Sequence, residues 1–419
     1  MTMALDSKPM GPIPSGFGAI HGELAIGGRT VSDLVGEAGD TPLFVYDLGQ
    51  VRRRIGQFRA AMPLDVGLHY AIKANPYGPL VRVMARHVDG MDVASGGELE
   101  AALAAGVRPA IISFAGPGKR DEELRAALDA GITLNVESVG EFARIRAIAD
   151  STGRTPRVAI RINPDFELKA SGMRMGGGAK PFGVDVDQVP PLMHDIAGAG
   201  ALFQGFHIFA GSQNLDAEAL IEAQAKSLAL AARLGEAGGM APPLVNLGGG
   251  FGIAYFANDK VLDIRPIGEA LGQALASRDS ILADSRFALE LGRWLVGEAG
   301  VYLTRIVDRK TSGGQTFLIC DGGMHHQLAA SGNFGQVVRR NYPIANASRF
   351  TQLAGETANV VGCLCTPLDR LGDQIALPIS QPGDLIAVFL AGAYGATASP
   401  SAFLGQGPAL EILVGDQDG

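Results

Sequence analysis

Two kinds of segment alternate over the first two thirds of the chain. Short apolar segments rich in β-branched residues are each followed by a stretch in which apolar residues recur at helical spacing. Strands that alternate with helices predict a parallel sheet, because parallel neighbours are usually connected by a helix. Eight strands are predicted, over residues 66–73, 91–94, 110–114, 132–136, 157–163, 202–210, 244–248 and 287–291.

The number of these units selects the fold class. Eight strand–helix units over about 230 residues match the size of an α/β fold of the (β/α)8 TIM barrel type. The acidic residues at 121–123 suit the first turn of a helix, and Gly106 and Gly131 stand where helices are expected to stop.

The pattern changes after residue 291. Strand-like segments then follow one another without long helices between them, at 301–309, 316–320, 359–362, 385–391 and 409–413. Two more such segments, 19–26 and 41–46, precede the barrel, and a lone two-stranded ribbon is at best marginally stable. We therefore predict a barrel domain at 45–292 and a second, mostly β domain built from 1–44 and 293–419.

Composition narrows the class of protein. Of 419 residues, 47% are hydrophobic and 19% are charged, which is ample for a buried core. The 35 basic and 43 acidic residues give a formal charge of −8, so no basic surplus is present to neutralise phosphates and nucleic acid is not an expected partner. No apolar run approaches the ~20 residues that span a bilayer, so no membrane partner is expected either.

Cysteines and histidines give two further expectations. Cys320, Cys363 and Cys365 form neither a disulfide framework nor a CxxC pair, which favours a reducing, cytoplasmic location. His325 and His326 are adjacent, and neighbouring residues on a strand point to opposite faces, so we expect no metal site there.

Candidate chemistry lies at the carboxyl ends of the predicted strands, where barrel enzymes carry their active sites. Lys73 ends the first strand; partial burial lowers a lysine's pKa and frees its amine as a nucleophile, although Lys73 could instead simply reach water. Glu290 ends the eighth strand and is able to point into the barrel mouth. The alternative for Glu290 is a structural ion pair with Arg293.

Two neighbouring strand ends complete this set. The glycine-rich segment 248–252 after the seventh strand lets backbone N–H groups converge on an anion, as phosphate sites require. The sixth strand places Phe209 near Ser212, and we expect His207 on that strand to be a satisfied core histidine. A lysine, a phosphate cradle, a carboxylate and a flat ring at one rim suit pyridoxal 5′-phosphate (PLP).

Six motifs in order resemble the alanine-racemase-fold PLP decarboxylases, which include the diaminopimelate and ornithine decarboxylases. They are His-Tyr-Ala-Ile-Lys-Ala-Asn-Pro at 69–76, Asp-Val-Ala-Ser-Gly-Gly-Glu at 92–98, Gly-Ser-Gln at 211–213, the glycines at 248–252, Glu-Leu-Gly-Arg at 290–293, and Cys365 followed by Ala-Tyr-Gly at 393–395. The resemblance extends from about residue 41 to residue 400, and so it covers nearly the whole chain.

The resemblance implies a role for each of these residues. Lys73 forms the internal aldimine with PLP, and Glu290 bonds the pyridine nitrogen and keeps it protonated. Cys365 is the proton donor, contributed by the partner subunit of a homodimer with shared active sites. The other residues that bind the cofactor are Asp92, Phe209, which replaces the usual histidine on the ring, and the phosphate ligands Ser212, Gly249, Gly250, Arg293 and Tyr394.

Two departures from the family concern the substrate. Thr366 stands where the diaminopimelate and ornithine enzymes place an acid, a loss that Asp369 could compensate. The segment 324–331 lacks the arginine that grips the distal carboxylate of diaminopimelate. The candidate substrate contacts are Arg161, expected near the cofactor ring, with Thr366 and Asp369.

The chain most resembles the pyridoxal-dependent decarboxylases associated with exosortase systems, whose relatives decarboxylate an aminoacyl group tethered to an acyl-carrier protein. The expected function is therefore PLP-dependent decarboxylation of an amino acid or of a carrier-bound aminoacyl conjugate. The alternatives are a diamino acid decarboxylase, a racemase on the same fold, which Glu290 and Cys365 disfavour, and a non-catalytic PLP-binding regulator.

Overall fold

The computed structural model of the chain describes residues 6–170, 172–334, 336 and 338–415. It contains two compact units. The barrel unit consists of Ile55–Ile253 and Val261–Gly292, and the β unit consists of Met1–Arg54, Ala254–Lys260 and Arg293–Gly419. The predicted barrel start at residue 45 thus lies ten residues before the observed start at Ile55, and the assignment of Ala254–Lys260 to the β unit was not predicted.

The strands in chain order are β1 (Gly18–Ile20), β2 (Glu23–Ile26), β3 (Arg29–Thr30), β4 (Leu43–Asp47), β5 (Val66–Ala71), β6 (Gly90–Val93), β7 (Ile112–Phe114), β8 (Thr133–Val136), β9 (Arg157–Asn163), β10 (Met173–Arg174), β11 (Val184–Asp185), β12 (Leu202–Ile208), β13 (Gly211–Ser212), β14 (Leu244–Gly249), β15 (Arg286–Leu291), β16 (Gly300–Ser312), β17 (Gln315–Cys320), β18 (Ile344–Asn346), β19 (Glu356–Val361), β20 (Arg370–Leu377), β21 (Leu385–Val388) and β22 (Leu410–Val414). The α-helices are α1 (Val31–Ala38), α2 (Leu48–Ala61), α3 (Gly78–Met84), α4 (Gly96–Ala104), α5 (Asp121–Ala130), α6 (Val139–Thr152), α7 (Val189–Gly198), α8 (Ala217–Gly238), α9 (Arg265–Ala276) and α10 (Arg293–Val296).

The barrel unit is a closed parallel sheet. Its strands are hydrogen-bonded in the order β9-β12-β14-β15-β5-β6-β7-β8, and β8 pairs with β9 to close the ring. Each of the eight predicted strands has its counterpart in this ring, so the predicted (β/α)8 barrel is confirmed. The first strand is shorter than predicted: it ends at Ala71, and Lys73 lies in the 3₁₀ turn Ile72–Ala74 that follows, rather than at the end of the strand.

Capping residues start two helices directly after their strands. The Ser95 side chain accepts a hydrogen bond from the backbone N–H of Glu98, and Glu98 accepts one from the backbone N–H of Ala94 (2.7 Å). Ser138 and Glu141 repeat this Ser-x-x-Glu arrangement at the start of α6. Such reciprocal capping satisfies N–H groups that a helix leaves open, and it fixes where the loop after each strand ends.

The β unit joins both ends of the chain. Strand β4 pairs antiparallel with β16 and parallel with β22. The first part of the long β16 also pairs antiparallel with β21, and its second part pairs antiparallel with β17. The prediction of a mostly β second domain that includes the N-terminal segment is confirmed. Among the described residues, no helix combines the length and the apolar character needed to cross a membrane.

Candidate functional site

Lys73 and Glu290 form the centre of the candidate site in the barrel unit. Glu290 lies on β15 and Lys73 follows β5, and these two strands are parallel neighbours in which Glu290 lies opposite His69. The Lys73 Nζ is 3.6 Å from Glu290 Oε1; the lysine side chain is 41% exposed and that of Glu290 only 4%. A half-exposed amine beside a buried carboxylate provides an accessible nucleophile with a fixed counter-charge.

Glu290 is held by more than one cationic or hydrogen-bonding group. His207 Nε2 lies 2.8 Å from Glu290 Oε2, and both side chains are buried. Burial raises the pKa of Glu290, but the Lys73 charge, the His207 hydrogen bond and the Arg161 charge together outweigh it and hold the pKa below its ordinary value. Glu290 is therefore an ionised carboxylate, and the alternative of an Arg293 bridge is not needed to explain its burial.

The aromatic ring of Phe209 lies beside this pair. The Lys73 Nζ is 5.3 Å from the centroid of the Phe209 ring, within the range of a cation–π contact. The His207 and Phe209 rings are 6.4 Å apart, as expected of residues two apart on one face at the end of β12. The structure thus brings Lys73, Glu290 and Phe209 together as the sequence predicted.

The glycine-rich loop after β14 packs against the segment that follows β12. A Cβ at Gly249 would lie 2.0 Å from the Glu290 carbonyl oxygen, and Gly250 has a φ of +85° with its Cβ position 2.8 Å from the Gly211 carbonyl oxygen. The Asn214 N–H donates to the Gly250 carbonyl (2.9 Å), which ties the Ser212 segment to this loop. Only glycine allows this close backbone packing, so the loop presents backbone groups rather than side chains.

Asp92 lies on β6 and is buried at 5% exposure. Its Oδ1 accepts a hydrogen bond from the Ser113 hydroxyl on β7, and its Oδ2 lies 3.3 Å from the Nδ1 of His69. Asn135 donates to the same Ser113 hydroxyl (3.0 Å). Asp92 is therefore anchored inside the barrel by a polar chain that runs across three strands.

Arg161, predicted near the cofactor ring, is a buried residue of β9. It donates to Glu137 Oε1 (2.8 Å), and its guanidinium lies 5.1 Å from the Phe182 ring centroid. Its charge reaches Glu290, because it contributes to the lowered pKa of that carboxyl. A role of Arg161 in substrate binding stays a prediction.

Arg293 and Tyr394 belong to the β unit. The Arg293 guanidinium lies 4.7 Å from the centroid of the Tyr394 ring and donates to the Tyr255 hydroxyl (2.8 Å). Tyr394 has a φ of +57°, a conformation that L-residues adopt rarely and that orients this loop. The two predicted phosphate ligands are thus in contact with each other.

The loop between β19 and β20 carries the remaining predicted residues. Cys365 is exposed and Thr366 partly exposed, whereas Asp369 is buried. The Asp369 carboxylate accepts hydrogen bonds from the backbone N–H groups of Met324 (2.6 Å) and Leu364 (2.9 Å). Asp369 thereby shapes its own loop, which leaves it poorly placed to replace the acid missing at Thr366.

The adjacent histidines require a correction. His325 and His326 lie in a turn rather than on a strand, and their ring centroids are 3.9 Å apart, so the premise of opposite faces is wrong. His326 uses both ring nitrogens, with the Tyr302 hydroxyl (3.1 Å) and the Gly407 carbonyl (2.8 Å). Within the described ranges, no group of three or more His, Cys, Asp or Glu residues is arranged to hold a metal ion.

Sequence reasoning did not identify the partners of two histidines of the barrel interior. His207 is the buried, hydrogen-bonded histidine that was expected, but its partner is Glu290, and His69 lies against Asp92. The signal for His207 was available, because it lies two residues before Phe209 on the same strand. His69 was identified only as part of the lysine motif, and nothing in the sequence indicates its partner.

A parallel eight-stranded barrel with a lysine–carboxylate pair, a flat ring and a glycine loop at its strand ends defines a PLP enzyme of the alanine-racemase fold. The glycine cradle, which any Cβ would fill, and the ionised carboxylate beside Lys73 fit the phosphate and the pyridine nitrogen of PLP.

Comparisons with known proteins specify the family. A family model described as "Pyridoxal-dependent decarboxylase, pyridoxal binding domain" matches residues 48–297. The chain is 37% identical over 382 residues to the L-glutamyl-[BtrI acyl-carrier protein] decarboxylase of Niallia circulans, with 89% of each chain covered. It is 33% identical over 396 residues to the diaminopimelate decarboxylase of Aquifex aeolicus, with 94% of this chain and 91% of the relative covered.

A solved structure supports the same family assignment. Diaminopimelate decarboxylase from M. jannaschii in complex with L-lysine superposes with a TM-score of 0.85 at 27% identity, with 96% of this chain and 93% of that chain covered. The chain belongs to the pyridoxal-dependent decarboxylases. It is a PLP-dependent carboxy-lyase that acts on amino acids, which confirms the predicted cofactor and enzyme class.

Proposed function

We propose that this enzyme decarboxylates an aminoacyl group tethered to an acyl-carrier protein, with Lys73, Glu290 and Cys365 as its catalytic residues. The observation that carries the tethered substrate is the 37% identity, over 89% of both chains, to a decarboxylase of L-glutamyl carrier protein. The narrower membership of the exosortase-associated subgroup stays a prediction.

The proposal assigns each part of PLP to residues of this chain. Lys73 would hold its aldehyde, Glu290 its pyridine nitrogen, and Phe209 the face of its ring. Bound PLP supplies an electron sink that allows the α-carboxylate of an amino substrate to leave as CO₂. The remaining proposed ligands are Asp92 and, for the phosphate, Ser212, Gly249, Gly250, Arg293 and Tyr394.

Glu290 supports decarboxylation over racemisation. As a buried carboxylate with a pKa below its ordinary value, it carries a negative charge at neutral pH. That charge favours the protonated form of a nitrogen placed against it, and a protonated ring withdraws electrons more strongly. His207 holds the second oxygen of Glu290 and so fixes the direction in which the first oxygen points.

Cys365 is the proposed proton donor to the reacting carbon. Its thiol is exposed in the single chain, on a loop whose shape Asp369 fixes through two backbone N–H groups. An exposed thiol on a held loop suits a group that completes the site of a second subunit. We therefore propose a homodimer with shared active sites.

The substrate contacts support a conjugate rather than a free diamino acid. Thr366 carries no charge to meet a distal amine, and the Asp369 carboxylate already accepts two backbone hydrogen bonds. A charge-assisted bond to a substrate contributes about 1.5–3 kcal/mol, so its absence weakens binding of a diamino acid by about tenfold to more than a hundredfold. Without such a contact, the affinity of the enzyme for its substrate would come from contacts with the carrier protein.

The first test of the substrate measures CO₂ release by the PLP-loaded enzyme. It compares glutamyl-loaded carrier protein with free glutamate, diaminopimelate, ornithine, lysine and arginine. We expect turnover of the loaded carrier at a kcat/KM at least about tenfold above that of any free amino acid. Faster turnover of free diaminopimelate would contradict the proposal and support the second candidate, a diaminopimelate decarboxylase, which the identity to the Aquifex aeolicus enzyme favours.

Replacement of Cys365 by alanine tests the proton donor. We expect PLP binding to be unchanged, and amine formation to fall by about 10²-fold or more, the usual range for loss of a general acid. The same substitution at Cys363, also exposed on this loop, is the matched control and should retain activity. Chromatography of the products would show whether the Cys365→Ala variant diverts substrate to a ketone or aldehyde; an unchanged rate and product would remove Cys365 from the mechanism.

A further inference from the structure

A polar cluster inside the barrel contains the proposed cofactor ligand Asp92 and three residues to which no role has been assigned. It consists of His69, Asp92, Ser113 and Asn135, on the consecutive strands β5 to β8. Its members are linked by the His69–Asp92 ion pair, the Ser113–Asp92 hydrogen bond and the Asn135–Ser113 hydrogen bond. Four linked polar residues are unusual inside such a barrel, because barrel interiors are ordinarily filled with branched apolar residues.

The position of the His69 ring depends on a glycine of the neighbouring strand. Gly90 lies opposite His69 in the β5–β6 register, and a Cβ at Gly90 would come within 2.5 Å of the imidazole ring. Glycine at this position therefore lets the ring lie across the neighbouring strand, towards Asp92. The Nδ1 and Oδ2 atoms are 3.3 Å apart, and neither has a hydrogen-bond partner elsewhere in the part of the chain that the structure describes.

The surroundings of His69 favour its charged form. Burial lowers the pKa of His69, but Asp92, then Glu290 and Asp89, outweigh it and raise the pKa above its ordinary value. Glu290 is the register neighbour of His69 on β15, and Asp89 precedes β6. An imidazolium at this position faces both carboxylates of the proposed site.

His69 also lines a cavity in the amino-terminal half of the barrel. This cavity measures about 200 Å³, and its polar lining consists of the amides of Asn135 and Asn246 and the charged residues Asp65, Asp89, Arg157 and Arg286, among others. A polar space of this size has room for several water molecules, which supply hydrogen bonds to buried polar groups. Water in this cavity would be able to solvate a charged imidazole at position 69.

We propose that His69 is a positioning residue of the cofactor site: it acts as the counter-ion of Asp92, holds that carboxylate in place together with Ser113, and connects it to the hydrated cavity below. The inference rests on the proposed role of Asp92 as a cofactor ligand. Gly90 makes the arrangement possible by leaving room for the ring.

The charge of His69 is tested on the apoprotein, so the result does not depend on PLP. Nitrogen-15 NMR of the imidazoles over a pH series, with the His69 signals assigned by their loss in His69→Gln, should show a pKa of His69 above the ordinary histidine value. The Asp92→Asn variant should lower the pKa of His69, because it removes the counter-charge. A pKa of His69 at or below the ordinary histidine value in the wild type would overturn the proposal.

The action of His69 on the site is tested by PLP titration of the apoprotein. We expect His69→Leu to weaken PLP binding about tenfold and His69→Gln, which keeps a donor, to weaken it less. In an Asp92→Asn background the His69→Leu change should alter PLP affinity less than twofold, since the carboxylate on which His69 is proposed to act is absent. The matched control is His194→Gln, an exposed histidine of α7, which should bind PLP as the wild type does.

The outcomes separate this inference from the proposed function. Unchanged PLP affinity in a folded His69→Leu variant, or an equal loss in the Asp92→Asn background, would overturn the role of His69 and leave the proposed function intact. If the wild type bound no PLP, the proposed function would fail instead. If His69→Leu did not fold, the titration of His69→Gln and the NMR of the wild type would still decide the question.

Discussion

Replacement of Lys73 by alanine is expected to abolish the visible absorption band that lysine-bound PLP gives, and to reduce decarboxylation by about three orders of magnitude or more. Lys73 lies 3.6 Å from the buried carboxylate of Glu290 and 5.3 Å from the centroid of the Phe209 ring. No second lysine shares that position in the described barrel unit. The measurement is the absorption spectrum of the protein titrated with PLP, followed by CO₂ release.

Borohydride reduction and peptide mass spectrometry give an independent readout. In the wild type the pyridoxyl phosphate group should be found on the peptide that contains Lys73, and in Lys73→Ala on none. Lys226, partly exposed on α8, is the matched control, and Lys226→Ala should keep the band and the rate. A band of wild-type intensity in Lys73→Ala would refute the assignment of this lysine.

Replacement of Glu290 by glutamine has the second largest expected effect, a fall in kcat of about 10- to more than 100-fold. Glutamine keeps the size of the side chain but removes the charge, and a charge-assisted hydrogen bond contributes about 1.5–3 kcal/mol. The Lys73 ammonium and the His207 Nε2 would also lose the carboxylate that they share. Steady-state kinetics with saturating PLP measures the effect on the chemical step.

The pH profile separates this effect from simple destabilisation. In the wild type the pKa of Glu290 lies below its ordinary value, because Lys73, His207 and Arg161 stabilise the charged form. We therefore expect no titration of Glu290 in the wild-type profile near pH 5–8, and a uniformly lower rate in Glu290→Gln. Glu269, exposed on α9, is the control residue. A Glu290→Gln variant with wild-type kcat would show that the carboxylate does not act on the cofactor.

Much of the barrel was readable from the sequence because its signals are local. Each strand is a short apolar run, each helix has its own periodicity, and caps such as Ser95 and Ser138 act within four residues. The candidate site residues were readable for a related reason. In a (β/α)8 barrel the strand ends converge whatever the loops do, so Lys73, Phe209, Gly249 and Glu290 had to meet once the fold was identified.

The sequence did not reveal which polar residues pair inside the barrel. His207 and Glu290 are 83 residues apart, and the distance between their side chains depends on strand register and on rotamers. The same holds for His69 and Asp92, whose contact requires the glycine at position 90 on the facing strand. A one-residue slip of either strand would turn one member of each pair to the other face.

The sequence alone therefore determined the fold class, the cofactor and the strand ends at which chemistry is placed, since these follow from short-range patterning and from a topology that brings strand ends together. The tertiary structure alone decided that the Asp369 carboxylate accepts hydrogen bonds from backbone N–H groups, that His325 and His326 share a turn, and that His69 lies against Asp92 and His207 against Glu290. Hydrogen bonds over a few ångströms between distant segments depend on packing, and packing is not encoded in the periodicity of any one segment.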